Sequence, residues 1–209
     1  MQKGKALVTG ASSGIGLVFA RELAKEGYAV TCVARSEEKL QRLTRELGVE
    51  HGFITADLTD ADDLATVAHN LQSSHYSLLV NNAGYGIYER FADIPLERIN
   101  NLIQLNITSL VHLSYVFLKS ASAGDALINV SSVLSLLPLP GGGVYSGTKA
   151  FVTNFTEALW YEYKEKDIYV MALLPGATQT DFHKIALGEK DNEDTFGPEY
   201  PCLLYTSDA

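Results

Sequence analysis

Six short apolar runs, most of them rich in β-branched residues, alternate with stretches of helical length, and this alternation leaves few folds open. The runs lie near Ala6 to Thr9, Ala29 to Ala34, Glu50 to Thr55, Ser77 to Asn81, Asp125 to Val130 and Tyr169 to Leu174. Strands joined by crossover helices pair in parallel and have both faces covered. The pattern therefore predicts an α/β chain with a doubly wound, mostly parallel sheet of six strands. A first helix is expected from Gly14 to about Gly27, because Gly is favoured just past a helix C-terminus. A second should start behind Ser36 as N-cap, two more after Thr59-Asp60 and Pro95, and the last should run from about Val144 to Lys164. In that last helix Phe151, Phe155, Leu159 and Tyr163 recur every four residues, a face expected to pack on the sheet. Pro138 to Gly143 is too short to separate domains and reads as a flexible loop.

Directly after the first run comes Thr9-Gly10-Ala11-Ser12-Ser13-Gly14-Ile15-Gly16, a Gly-rich turn that opens a helix. Gly10 permits a tight bend, and Gly14 and Gly16 let backbone and ligand approach closely. The N-H groups of Ser12, Ser13, Ile15 and their neighbours, at the positive end of the helix, suit a phosphate. The three-residue gap between Gly10 and Gly14 departs from the usual G-x-G-x-x-G dinucleotide fingerprint. The second run ends Val33-Ala34-Arg35-Ser36, without the acidic residue that hydrogen-bonds a ribose 2'-hydroxyl in NAD-preferring folds. Arg35 could instead grip a 2'-phosphate, so NADP(H) is expected over NAD(H), with NAD(H) left open. Asn82-Ala83-Gly84 after the fourth run leaves room where ligands of parallel sheets gather.

The sharpest constellation is Ser132, Tyr145 and Lys149. Ser132 ends the fifth run, and Tyr145 and Lys149, four apart, share a helix face. A phenol titrates near pH ~10, and bringing it to about 7 takes roughly 4 kcal/mol of differential stabilisation. A neighbouring ammonium can contribute to that shift.

Together these motifs resemble the short-chain dehydrogenase/reductase family, in its single-domain branch, over residues 5 to about 181. The resemblance implies a Rossmann-type sheet with a seventh strand, absent here, so that the chain reads as cut short at its C-terminus. It implies hydride transfer between a nicotinamide and a small carbonyl or alcohol substrate. Tyr145 would be the general acid/base, Ser132 would hold the substrate oxygen, and Lys149 would lower the Tyr145 pKa and hold the nicotinamide ribose. Asn106 would support a proton-relay water, and Asp57-Leu58 would contact adenine. Pro175, Gly176, Thr178 and Thr180 would grip the nicotinamide amide. The resemblance also implies a homo-oligomer formed through the helices that contain Asn106 and Tyr145. A non-catalytic NADP(H) sensor on the same scaffold is the alternative, disfavoured because a sensor needs no acid/base; an epimerase or dehydratase of the larger branch is disfavoured by length and by the glycine spacing.

A net charge of -9 disfavours nucleic acid and acidic membranes as partners. Only Cys32 and Cys202 are present, and the five histidines lack ligand spacing, so no metal or disulfide framework is expected. Neither a leader nor a membrane-length apolar run stands out, so a cytoplasmic location is expected. Residues 1-201 are expected to form one domain, incomplete at its end. Cys202 to Ala209 can be written in codons that resemble a transposon-end adapter used in sequencing libraries, and is expected to be a non-native tail. The apolar residues Leu134, Leu139, Val144 and Phe182 are expected to line a substrate pocket.

Overall fold

A computed structural model describes residues 3–176. Thr178, Thr180, Phe182 and the tail from Cys202 lie outside the described residues. Six strands, β1 (Gly4–Thr9), β2 (Tyr28–Ala34), β3 (Gly52–Thr55), β4 (Leu78–Asn81), β5 (Ala126–Val130) and β6 (Tyr169–Leu173), form one sheet in the order β3-β2-β1-β4-β5-β6. Every pairing is parallel, with Val8 beside both Cys32 and Val80, and Ile128 beside Val80 and Met171. The chain runs outward from β1 to β3 and then returns to build β4 to β6 on the other side. The resulting switch point between β1 and β4 is where open α/β sheets bind ligands.

Alternate residues of each strand face opposite layers. Leu7, Val33, Leu79, Leu127 and Val170 face a cluster completed by α3 (Ala61–Ser73), through Leu64, Val67 and Leu71, and by α5 (Leu110–Ser120), through Leu113, Val116 and Phe117. Ala6, Val8, Val30, Cys32 and Val80 face Ala20 of α1 (Gly14–Lys25) and Leu40 and Leu43 of α2 (Glu37–Leu47). Each fully buried Leu, Val or Phe contributes about 1.5–3 kcal/mol over its exposed state. Asp60 caps α3 by accepting from the N-H groups of Asp62 and Asp63, whereas Ser36 stands at the N-cap of α2 without a side-chain hydrogen bond.

Three expectations change. The helix after Pro95 is one continuous run, α4 (Leu96–Ile103), a π-helical turn (Gln104–Ser109) and α5. At 25 residues it does reach membrane-spanning length, and an 18-residue stretch of it has mean hydropathy 1.2 with half of that stretch buried within the protein. A helix covered along much of its surface carries apolar residues beyond a single stripe, which accounts for that hydropathy. In α6 (Gly143–Tyr163) the face on the sheet is not the phenylalanine row: Val152, Thr153 and Thr156 are buried, while Phe151 is exposed and stacks on Phe155 at 5.6 Å. The strand ends there are polar, so the helix meets them with hydroxyls, and only Leu159 and Tyr163 of the row reach the core. The loop before α6 is fastened rather than loose, with Glu89 N-H donating to Gly141 O at 2.9 Å.

Candidate active site and phosphate cradle

The turn after β1 is shaped by glycine. Gly10 has φ +66° and Gly14 φ +53°, values that favour glycine. A Cβ on Gly10 would come within 2.7 Å of Asn82 Nδ2 and 3.0 Å of Ala83 Cα, and one on Gly16 would strike Gly10 O. The Thr9 hydroxyl holds the neighbouring turn by accepting from the N-H groups of Asn82 (2.9 Å) and Ala83 (3.0 Å), and Asn82 Nδ2 donates back to Thr9 O (2.9 Å). The first turn of α1 contains no acidic residue, and the Ser13 hydroxyl does not cap it. Bare backbone at the positive end of a helix, without a competing carboxylate, fits a dinucleotide's diphosphate.

Arg35 lies at the end of β2, beyond Ala34, with its side chain 78% exposed and Nη1 3.9 Å from Asp57 Oδ2. Burial pushes the Asp57 carboxyl up, but hydrogen bonds from the Thr59 hydroxyl and N-H, with Arg35 nearby, outweigh it and hold the group below its ordinary range. Leu58 packs into the core, so within that pair only Asp57 offers an open side chain.

At the ends of β4 and β5 the structure brings Asn106, Ser132, Tyr145 and Lys149 to one place, all buried. Ser132 Oγ accepts from Leu134 N-H at 3.2 Å, and its hydroxyl is near enough to the Tyr145 phenol to act on its titration. Lys149 Nζ donates to Val130 O at 2.8 Å and lies 5.9 Å from the centre of the Tyr145 ring. Ser131 Oγ answers by donating to Lys149 O at 2.9 Å, which ties α6 to the end of β5 from both sides. Val133 N-H donates to Pro175 O at 3.1 Å, bringing the start of the Pro175-Gly176 segment to the same edge. Gly84 leaves space between two of these groups: a Cβ there would sit 3.0 Å from Asn106 Oδ1 and 3.4 Å from Lys149 Nζ.

Burial raises the Tyr145 phenol well above its ordinary value, reinforced by Tyr88 and opposed by the Ser132 hydrogen bond. Burial also draws Lys149 down to about 8. In the protein alone, burial dominates the environment of the phenol and favours its protonated form.

Sequence reasoning missed several parts of the site. The π-helical turn places Asn106 one residue out of α-helical register, so that Nδ2 reaches Tyr85 O and Thr148 Oγ1 (both 3.0 Å) while Oδ1 accepts from Tyr85 N-H (3.2 Å). No residue type in Gln104–Ser109 announces a π-turn. The tyrosines of Tyr85-Gly86-Ile87-Tyr88 were the available signal, being bulky aromatics placed directly after a turn built from small residues.

The comparisons with known proteins agree with this layout. The family model for short chain dehydrogenases matches residues 4–190. The chain is 36% identical over 192 residues to the very-long-chain 3-oxoacyl-CoA reductase of Anas platyrhynchos, covering 87% of this chain and 62% of that protein. It thus spans about three-fifths of the length of that curated relative. A short-chain dehydrogenase from Sphingobium yanoikuyae, solved with NADPH, superposes with a TM-score of 0.83 at 35% identity, over 88% of this chain and 74% of that one. A Comamonas testosteroni alcohol dehydrogenase described as specific for bulky-bulky ketones gives a TM-score of 0.79 at 34% identity, over 84% of this chain and 72% of that one. A six-stranded parallel sheet in this order, a glycine cradle at its switch point and a buried Ser-Tyr-Lys group, together with these likenesses, place the chain in the short-chain dehydrogenase/reductase family.

Proposed function

We propose that the protein reduces a carbonyl compound to an alcohol, and runs the reverse reaction, with NADP(H) as cofactor. The single observation that carries the reading is the convergence of the buried Ser132 and Tyr145 hydroxyls with Lys149 at the β5–α6 corner, with Ser132 near enough to act on the phenol and Lys149 Nζ 5.9 Å from the Tyr145 ring centre. Ser132 Oγ orients the carbonyl oxygen, and Tyr145 Oη gives that oxygen its proton as negative charge develops there. Lys149, cationic below about pH 8 and anchored on Val130 O, offsets the charge left on the phenol. A bound NADPH supplies the hydride. Gly10, Ser12, Ser13, Gly14, Ile15 and Gly16 would cradle its diphosphate, Arg35 its 2'-phosphate and Asp57 its adenine. The relative solved with NADPH supports this cofactor choice.

A homo-oligomer is part of the proposal. Ile107, Val111 and Tyr115 of the long helical run, with Phe151 of α6, line a shallow groove that also includes Thr108 and His112 and holds no carboxylate. A chain of net charge -9 can meet a second copy of itself there without opposing like charges.

The test is a fluorescence titration with NADPH and NADH, followed by ketone reduction, on the wild type, Arg35→Ala and Tyr145→Phe. The wild type should prefer NADPH by roughly tenfold or more, and Arg35→Ala should erase the preference. Tyr145→Phe should keep NADPH binding and lose about 100-fold or more in rate. Equal binding of the two nucleotides by the wild type removes Arg35 from the account, and an unchanged Tyr145→Phe rate ends the acid role.

A further inference from the structure

The segment that follows Gly84 has no regular secondary structure, yet it is held at many points. Asn106 grips both backbone groups of Tyr85, and the Tyr85 hydroxyl donates to Arg98 O at 3.2 Å. Arg98 Nη1 pairs with Glu89 Oε1 at 2.8 Å, and Glu89 N-H is bonded to Gly141 O. Tyr88 lies between these anchors. Its ring meets the Tyr145 ring edge to face, with centroids 6.0 Å apart and planes at 89°. On its other side Cδ1 and Cε1 lie 3.1 and 3.2 Å from where a Cβ on Gly142 would be. Leu134, Val144 and Tyr85 border the same apolar cluster.

We propose that Tyr88 is a specificity-determining wall of the substrate site, setting how large a group beside the carbonyl can be. The inference rests on the reading of Ser132 and Tyr145 as the groups that hold the carbonyl oxygen. A substrate whose oxygen meets those hydroxyls must place one substituent alongside the Tyr145 ring, and among the described residues Tyr88 stands at right angles to that ring. Because the segment is tied at Tyr85 before it and at Glu89 after it, and its ring packs against the Tyr145 ring and the Gly142 backbone, Tyr88 discriminates by volume instead of moving aside. Its surroundings are apolar, a cluster built on Ile87, Ile94, Ile99 and Leu102, which suits an uncharged hydrocarbon or aryl substituent.

The test uses 2-butanone as a small ketone and benzophenone as a bulky one, with NADPH, on the full chain. Tyr88→Ala should raise the ratio of kcat/KM for benzophenone over 2-butanone by about tenfold or more, with the change falling on KM for benzophenone. Tyr88→Phe, which keeps the ring, should hold the wild-type ratio. Gly142→Ala should lower it, because the added methyl presses on the Tyr88 edge. NADPH affinity, measured by fluorescence, monitors folding of every variant. A wild type that reduces both ketones and a Tyr88→Ala variant with an unchanged ratio would overturn the role of Tyr88 alone. A wild type that binds NADPH and reduces neither ketone would overturn the underlying activity, and this proposal with it.

Discussion

Asn106 holds Tyr85 by both its backbone groups, accepting from the N-H at 3.2 Å and donating to the carbonyl at 3.0 Å. A side-chain amide can mimic a strand neighbour in this way only if it is aimed at the loop, and the π-turn does the aiming. Asn106→Ala would take this partner from the part-buried N-H and C=O of Tyr85, costing about 1–3 kcal/mol of stability. Thermal unfolding should register the loss, and the reductase rate should fall more steeply than NADPH binding weakens. Wild-type stability in Asn106→Ala would mean the clamp is not needed.

Stability should rise with pH through the range where Lys149 loses its proton. Its folded-state value of about 8 lies below the ordinary 10.5, so between these limits the unfolded chain binds more protons than the folded one. From pH ~7.5 to ~9.5 the gain should be about 2 kcal/mol, relative to a Lys149→Met variant in which this contribution is gone. Tyr145 and Tyr88 act in the opposite sense above their ordinary value of 10, since their folded forms keep the proton. Urea unfolding of the two proteins at matched pH values measures the difference, and parallel curves would show that Lys149 is charged in the folded site throughout.

Self-association can be read from a single exposed ring. Tyr115 is 62% exposed on α5 and borders the apolar groove, so Tyr115→Glu should leave the fold intact while placing a carboxylate in the contact. Sedimentation at tens of micromolar should give a dimer or larger for the wild type and a monomer for the variant. A monomeric wild type would remove the second copy from the proposal.

The sheet was legible because parallel strands covered on both faces must be nearly continuous apolar runs, and Leu78 to Asn81 could be little else. The Ser132, Tyr145 and Lys149 group was legible because a strand end and a helix start fix the spacing of their side chains. The π-turn left no mark, since Gln104 to Ser109 has the composition of an ordinary helix and the bonds of Asn106 to Tyr85 and Thr148 are made only in the folded protein. The buried face of α6 misled for a related reason. Thr153 bonds Ser131 at 2.7 Å and Thr156 accepts from Asn129 at 3.0 Å, so hydroxyls took the interior positions that hydrophobic periodicity assigned to phenylalanine. The upward shift of Tyr145 was hidden too, because sequence spacing locates its ammonium neighbour but not the depth at which both are buried.

The reciprocal tie between β5 and α6, Lys149 Nζ to Val130 O and Ser131 Oγ to Lys149 O, belongs to the folded protein itself. Ser132 lies two residues past the end of β5 and Tyr145 lies on α6, so their separation is settled when strand and helix dock, before any substrate arrives. The entropy of orienting two hydroxyls toward one oxygen is then lost during folding, and an incoming carbonyl has only its own freedom to surrender. Loosening that corner should slow the chemistry through misalignment even when every reactive atom is still present.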